Sequence, residues 1–319
     1  MLALVVGVAG GALNPASATH STVTAVNGSA FGYWADEISL FGGPQADTGP
    51  TPTVALAPDA SNSPQTATAT TGLVTYGPAR LFTSDTISLS TTGSLGTTGS
   101  VTTTSDIQNV NYANTQPTNT GSEIFGYPPP ETDPNFINFN PDNLRTSVAG
   151  TATADASGVS GSTTITNGMV RTDAQSSTDC PSLTTPCGRA GEQHTHDAAN
   201  PEGVVTIPTN PPPNYKVAGH LHLGADTTDY FVIVFNEQVV NPDGSITVTP
   251  VHEYFGYRLD AGGNIVKDAA YSAGGSILHG HLYLGQVTAG VTVAPGANTA
   301  PVAGDDAYST AFETPLTVP

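Results

Sequence analysis

The chain of 319 residues is poor in charge, with 10 % Asp, Glu, Lys and Arg, and rich in Gly (35) and Pro (26). Coiled coils and helical bundles need dense Ala, Glu, Lys, Leu and Arg, and collagen needs Gly at every third place, so all three are excluded. Seven Lys and Arg against 26 Asp and Glu leave a net charge of −19, which repels phosphate backbones and anionic bilayers, so neither nucleic acid nor an anionic membrane surface is expected as a partner.

In chain order, Leu2 to Leu13 is apolar or small, Asn14 and Pro15 break the run, and Ala16, Ser17 and Ala18 form a small-x-small cleavage signal. The run is shorter than the roughly 20 apolar residues a bilayer span needs. Residues 1–18 therefore read as a secretory signal peptide, although Met1 leads straight into Leu2 without a basic stretch. Later hydrophobic runs are all short, so no membrane insertion is expected. The protein is expected outside the cell, at the cell surface or wall.

The patterned stretches that follow read as β. Strict alternation over Ser29 to Phe41 puts Phe31 and Tyr33 on one face and Trp34, Ile38 and Leu40 on the other. Thr66 to Tyr76 and Thr86 to Ile107 are Thr- and Ser-rich with sparse Val, Leu and Ile, the pattern of strands with one wetted face. Pro44 to Gln65 and Asn114 to Asn143 are rich in proline, which lacks a ladder donor, and are expected as long surface loops or edge decorations, with Tyr127, Phe136 and Phe139 pinning the second. Leu144 to Ala156 and Ser160 to Arg171 read as two strands joined through Gly158. Tyr230 to Val240 is the most hydrophobic strand and is expected to be central. Asn241 to Gly244 is a turn, with Pro242 presetting φ and Gly244 accepting a positive one. Ser245 to Leu259 returns as the partner strand, and Ser276 to Val293 closes the domain. No window carries a helical apolar stripe. These elements predict an all-β, antiparallel β-sandwich of jelly-roll or Ig-like type over residues 19–293, with long Pro/Asn-rich loops and little helix.

Cys180 and Cys187 enclose six residues with a proline beside each cysteine. A disulfide there would stabilise the loop by about 2–3 kcal/mol on the chain-entropy model, and an oxidising exterior favours it. A metal site shared with His194 and His196 is the alternative. Of eight histidines, six form His-x-His pairs: His194/His196, His220/His222 and His279/His281. On a strand, residues i and i+2 share a face, so each pair could present imidazoles about 6–7 Å apart. Two such strands side by side would offer four nitrogens to Zn²⁺ or Cu²⁺. His220/His222 with His279/His281 is the best set, because GHLHLG at 219–224 echoes GHLYLG at 280–285. His252 is a further candidate, with Glu253, Asp197 and Asp226 as supporting carboxylates. The plainer and favoured alternative is a row of histidines hydrogen-bonding on a sheet face. No G-x-S-x-G elbow, phosphate-binding Gly-rich loop or H-E-x-x-H motif is present, so no enzyme is expected.

From Ser29 to Thr288 the chain resembles the bacterial surface proteins called the choice-of-anchor P family, on SAFGY at 29–33, GSTTITN at 161–167, NEQ at 236–238 and DGSITVTPVH at 243–252. The resemblance implies a secreted β domain held at the surface by a variable C-terminal anchor, with no catalytic residue. The long proline-rich insertion and the extra histidines depart from it, and no sorting motif or hydrophobic tail follows. The stretch NTAPVAGDDAYST at 298–310, followed by TPLTV at 314–318, is similar to the opening strands of bacterial Ig-like or cadherin-like tandem repeats. Residues 294–319 thus read as a linker and the start of such a repeat, with further repeats expected downstream. Asp305 and Asp306 are candidate Ca²⁺ ligands at that junction, a solvated acidic turn being the alternative. The expected function is a secreted, surface-associated, non-enzymatic structural or adhesive domain of a longer multi-domain protein, with an extracellular protein or glycan ligand. The alternative is a secreted Zn²⁺- or Cu²⁺-binding module, redox-active in its strongest form.

Overall fold

The structure is a computed structural model that describes residues 21–40, 43, 45, 47–76, 79–110, 146–171, 173–175, 204–222, 228–269, 276 and 278–294. The signal segment, the 114–143 stretch, Cys180, Cys187, His194, His196, Asp197, Asp226, Asp305 and Asp306 lie outside the described residues.

Among the described residues every regular element is a strand. The first nine are β1 (Thr22–Leu40), β2 (Thr51–Ala55), β3 (Gln65–Ala69), β4 (Gly72–Tyr76), β5 (Ala79–Ser84), β6 (Ile87–Ser94), β7 (Ser100–Val110), β8 (Thr146–Asp155) and β9 (Gly158–Thr166). The remainder are β10 (Met169–Arg171), β11 (Asp173–Gln175), β12 (Val204–Thr206), β13 (Tyr215–His222), β14 (Thr228–Val240), β15 (Ile246–Phe255), β16 (Tyr257–Leu259), β17 (Ile265–Lys267) and β18 (Leu278–Ala294). A seven-stranded sheet in the order β11-β13-β14-β15-β18-β1-β2 packs on a five-stranded sheet in the order β3-β6-β7-β8-β9. Pairing is antiparallel except between β11 and β13. The expected all-β sandwich is therefore the fold.

The five-stranded sheet keeps period two except at the end of β7, where a register shift between Ile107 and Val110 and the left-handed Asn109 (φ 54°) add a residue. Ile87 and Leu89, Val101 and Ile107, Val148 and Ala152, and Ile165 point into the core, while Ser88, Thr102, Thr153 and Ser162 alternate outward. Each fully buried Ile, Leu or Val contributes about 1.5–3 kcal/mol relative to exposure. The Asn241–Gly244 turn forms as expected: Gly244 N–H donates to the Asn241 carbonyl at 2.9 Å, and Gly244 has φ 82°. It fixes the β14–β15 register at Val240 opposite Ile246. β14 lies inside the sheet, but the central strand of the seven is its partner β15. The proline-rich 44–65 stretch contributes β2, an edge strand that includes Pro52, where a missing donor faces no ladder partner.

The seven-stranded sheet departs from simple alternation. On the core side, Ala30, Val287, Val248 and Gln238 form one rank across β1, β18, β15 and β14, and Tyr33, Leu284, Val251 and Phe235 form the next. Each step along a strand is three residues instead of two. The extra residues are Gly32, Gly285, Pro250 and Asn236, one per strand and all at one level. Because all four strands carry the insertion together, pairing is in register on both sides of it. Asn236 (φ 53°) and Gly285 (φ 71°) take left-handed conformations there. The sheets approach closely at this crease: a Cβ on Gly285 would sit 2.6 Å from Ser105 Oγ, and one on Gly150 would sit 2.5 Å from Pro250 Cγ.

The crease corrects the expected facing of Phe31 and Tyr33. Tyr33 turns inward, 5.2 Å from the Phe82 ring, while Phe31 stays outside in an edge contact with Trp34. Ile38 also turns inward, away from Trp34, because Glu37 (φ 53°) and a register shift between Asp36 and Ser39 reset the alternation again.

Gly285→Ala is expected to destabilise the domain by about 1–3 kcal/mol through left-handed strain and the Ser105 contact. Urea unfolding monitored by circular dichroism measures the loss, and an unchanged midpoint would contradict the crease.

Candidate functional site

Beyond the crease, the outer face of the seven-stranded sheet gathers most of the chemistry-bearing side chains. Register sets Trp34 beside Tyr283, and Tyr283 beside His252; one step on, Asp36 lies beside His281, and His281 beside Tyr254. The rings close on one another across β1, β18 and β15 and along β15. Trp34 and Tyr283 centroids are 5.3 Å apart at 21°, Tyr283 and His252 are 4.0 Å apart at 24°, and His252 and Tyr254 are 3.9 Å apart at 32°. Ring faces cover each other, so the ladder turns its polar edges outward. At the β1 end, Trp34 Nε1 donates to Asp47 Oδ1 at 2.8 Å. The Gly49 N–H and this indole N–H hold the Asp47 carboxyl below the ordinary Asp value.

The three-residue step also carries Glu237 onto the same face. Its Oε2 accepts from His252 Nδ1 at 2.7 Å and its Oε1 accepts from the Tyr254 hydroxyl at 3.0 Å. His252, only 5 % exposed, places Nε2 3.1 Å from His281 Nδ1, and His281 Nε2 is 3.5 Å from the Tyr257 hydroxyl. Protons follow from this chain of contacts. When His252 carries a single proton, on Nδ1 against Glu237, its Nε2 is bare, and His281 then donates through Nδ1 and turns a bare Nε2 toward Tyr257.

Burial works to raise the Glu237 pKa, but the His252 and Tyr254 hydrogen bonds and the His252 and His281 charges outweigh it, and the carboxyl stays below its ordinary value. Burial, then the positive charges of His252 and Lys267, push the His281 pKa down to about 4, so it is neutral at neutral pH. Burial and the Asp36 and Glu237 charges raise Tyr283 to about 12. Burial, then Asp47 and Glu37, raise Asp36.

The other sequence candidates are dispersed. The strand carrying His220 and His222 does not neighbour the strand carrying His279 and His281: β14 and β15 lie between β13 and β18, about 14 Å at sheet spacing. The expected side-by-side set of four imidazoles is therefore not formed. Within the matching stretches, residues 219–222 and 280–285 share a sheet without sharing a ladder. His279 and His281 also diverge, because Gly280 between them has φ 134°. His279 Nε2 lies 3.1 Å from the Ser276 carbonyl and its ring lies over Gly256. Glu253 points to the opposite side of β15 from His252 and is 2 % exposed. Among the described residues, no group of three or more His, Cys, Asp and Glu forms a cation cage.

Sequence reading singled out His252 and His281 but missed Glu237, Tyr254, Tyr257, Tyr283, Trp34 and Asp36 as their neighbours. The Asn241–Gly244 turn contains the usable signal, since it fixes His252 opposite Val234. The step that brings Glu237 within reach has no such marker.

Next to the ladder, across β18, β1 and β2, is a pocket of about 310 Å³ lined by residues including Ser29, Phe31, Thr53, Val54, Gln286 and Thr288. It is at the small end of ligand pockets, which run about 300–1,000 Å³. None of its lining residues is ionisable. No family model, curated protein or solved structure matches the chain.

A folded-state His pKa depressed from about 6.5 means that the unfolded chain takes up the proton first as pH falls. Stability is thus expected to decline from about pH 6.5 toward 4 on account of His281. Glu237, whose folded value is lowered, adds its loss at lower pH, below the ordinary carboxylate range. Thermal melts at pH 7, 6 and 5 should show a falling Tm in the wild type and a flatter profile in His281→Gln. A wild-type Tm independent of pH over this range would contradict the assignment.

Proposed function

We propose that this is a secreted, surface-displayed, non-enzymatic binding domain, and that its ligand is a neutral glycan unit held in the pocket across β18, β1 and β2. The observation that carries the reading is the lining of that pocket: three hydroxyl residues, Ser29, Thr53 and Thr288, and the Gln286 amide set among the Phe31 ring and the aliphatic Ala30, Pro50, Val54 and Ala55, with no acid or base. Hydroxyls and an amide match the donors and acceptors of a sugar, and an aromatic ring packs against its C–H face. Gln286 Nε2 also donates to Thr249 Oγ1 at 3.1 Å, which orients the amide. Glu237, His252 and His281 of the adjacent ladder are bonded to each other, and no acid or base lines the pocket, so the pocket binds without a general acid or base to cleave. The signal-peptide pattern and the choice-of-anchor P resemblance support display outside the cell, and the net charge of −19 suits solubility there.

Thr53 is exposed on the edge strand β2, so Thr53→Trp fills the pocket without entering the core. On an array of neutral oligosaccharides, the wild type is expected to retain at least one class and T53W to lose it by tenfold or more, with an unchanged Tm. No retained glycan, or equal retention by T53W, would overturn the reading and leave a structural role.

A further inference from the structure

We propose that His252 Nε2 and His281 Nδ1 together bind one divalent transition-metal ion, Zn²⁺ or Cu²⁺, on the outer face of the seven-stranded sheet. This goes beyond the glycan reading and uses different residues.

The geometry is that of a ligand pair. The two nitrogens are 3.1 Å apart, and an ion about 2.0–2.1 Å from each would subtend an angle of roughly 95–100°. That lies between the ~90° of a tetragonal Cu²⁺ centre and the ~109° of a tetrahedral Zn²⁺ centre. The second nitrogen of each ring faces an oxygen: Glu237 Oε2 at 2.7 Å from His252 Nδ1, and the Tyr257 hydroxyl at 3.5 Å from His281 Nε2. A carboxylate holding the far side of an imidazole is the usual outer support of a ligating histidine, fixing both tautomer and ring orientation.

Binding changes only where one proton sits. His252 keeps its proton on Nδ1 against Glu237. His281 moves its proton from Nδ1 to Nε2, where it faces the Tyr257 oxygen, and the freed Nδ1 lone pair joins His252 Nε2 on the ion. Charge also favours a cation. Asp36 lies beside His281 across the β1–β18 ladder, and Glu237 stands behind His252. Lys267 is the opposing charge, 6.0 Å from the Tyr257 ring centroid. The two imidazoles leave the remaining coordination positions to water or an external ligand.

The whole chain, stripped with a chelator, would be titrated with ZnCl₂ and CuCl₂ separately. One equivalent is expected to raise Tm, and Cu²⁺ to quench the single tryptophan, Trp34, which stacks on Tyr283 beside His252. ¹⁵N spectra of histidine-labelled protein should show His281 change from the Nδ1–H to the Nε2–H tautomer on Zn²⁺ addition. His281→Gln should abolish these responses while the chain stays folded, and Glu237→Gln should weaken affinity roughly 10–100-fold. The quadruple His194, His196, His220 and His222→Gln variant should respond like the wild type. The site is overturned if neither metal shifts the His281 signals at one equivalent, or if the responses survive in H281Q. The glycan array reads a different pocket, so either proposal can fail alone.

Discussion

One extra residue in each of four adjacent strands, all at the same level, is the constraint on which this sandwich depends. An insertion in one strand alone would turn that strand's inward side chains outward beyond it, since side chains alternate with period two. Carried together by Gly32, Gly285, Pro250 and Asn236, the insertions cancel, and the ladder between β14, β15, β18 and β1 keeps its register. Each of the four residues suits the place: glycines where the second sheet leaves no room for a side chain or φ is positive, an asparagine that tolerates a positive φ, and a proline that has no N–H to leave unpaired.

The aromatic ladder is a consequence of that crease. Without the longer step, His252 would align with a different outer rank and Glu237 would lie on the core side. With it, four rings close on one another and bury a histidine on what would otherwise be a wet sheet face. Stacked pairs of this kind are worth about 0.5–1.5 kcal/mol beyond their area. Burial penalises a charge on His281, while the hydrogen bonds to Glu237 favour its carboxylate. The same face therefore holds a neutral imidazole and an ionised carboxyl with one imidazole between them, a division of charge set by position in the ladder.

Much of the architecture was legible in the sequence. Ile87, Leu89, Val101 and Ile107 alternate with Ser and Thr, and that alternation is the five-stranded sheet. Pro242 and Gly244 mark the turn that registers β14 on β15. The facing of Phe31 against Tyr33 was not legible, because Gly32 in a strand is equally consistent with regular extension, and only the second sheet pressing on it decides. The histidine pairing failed for a topological reason. GHLHLG and GHLYLG are alike in local sequence, but neighbours in a sheet are fixed by long-range pairing, and two strands intervene. His252 and His281 were recognisable as candidates from residue type alone, whereas Trp34 and Asp36 come from β1, distant in the chain, and Glu237, though only one hairpin away, reaches His252 through the three-residue step.

β1 and β18 are hydrogen-bonded neighbours along nearly their whole length, with Thr22 opposite Ala294. The described fold therefore begins and ends at one corner. Tension applied at those two points acts across the strands and parts their rungs one after another, where opposite corners would have sheared all of them at once. The first rungs are fastened a second time, because Val23 and Gly96 exchange backbone hydrogen bonds of 2.9 Å between the two sheets. Mechanically, the domain is a side branch latched at its root, so a stretched chain would pass its strain by the sandwich until that latch opens.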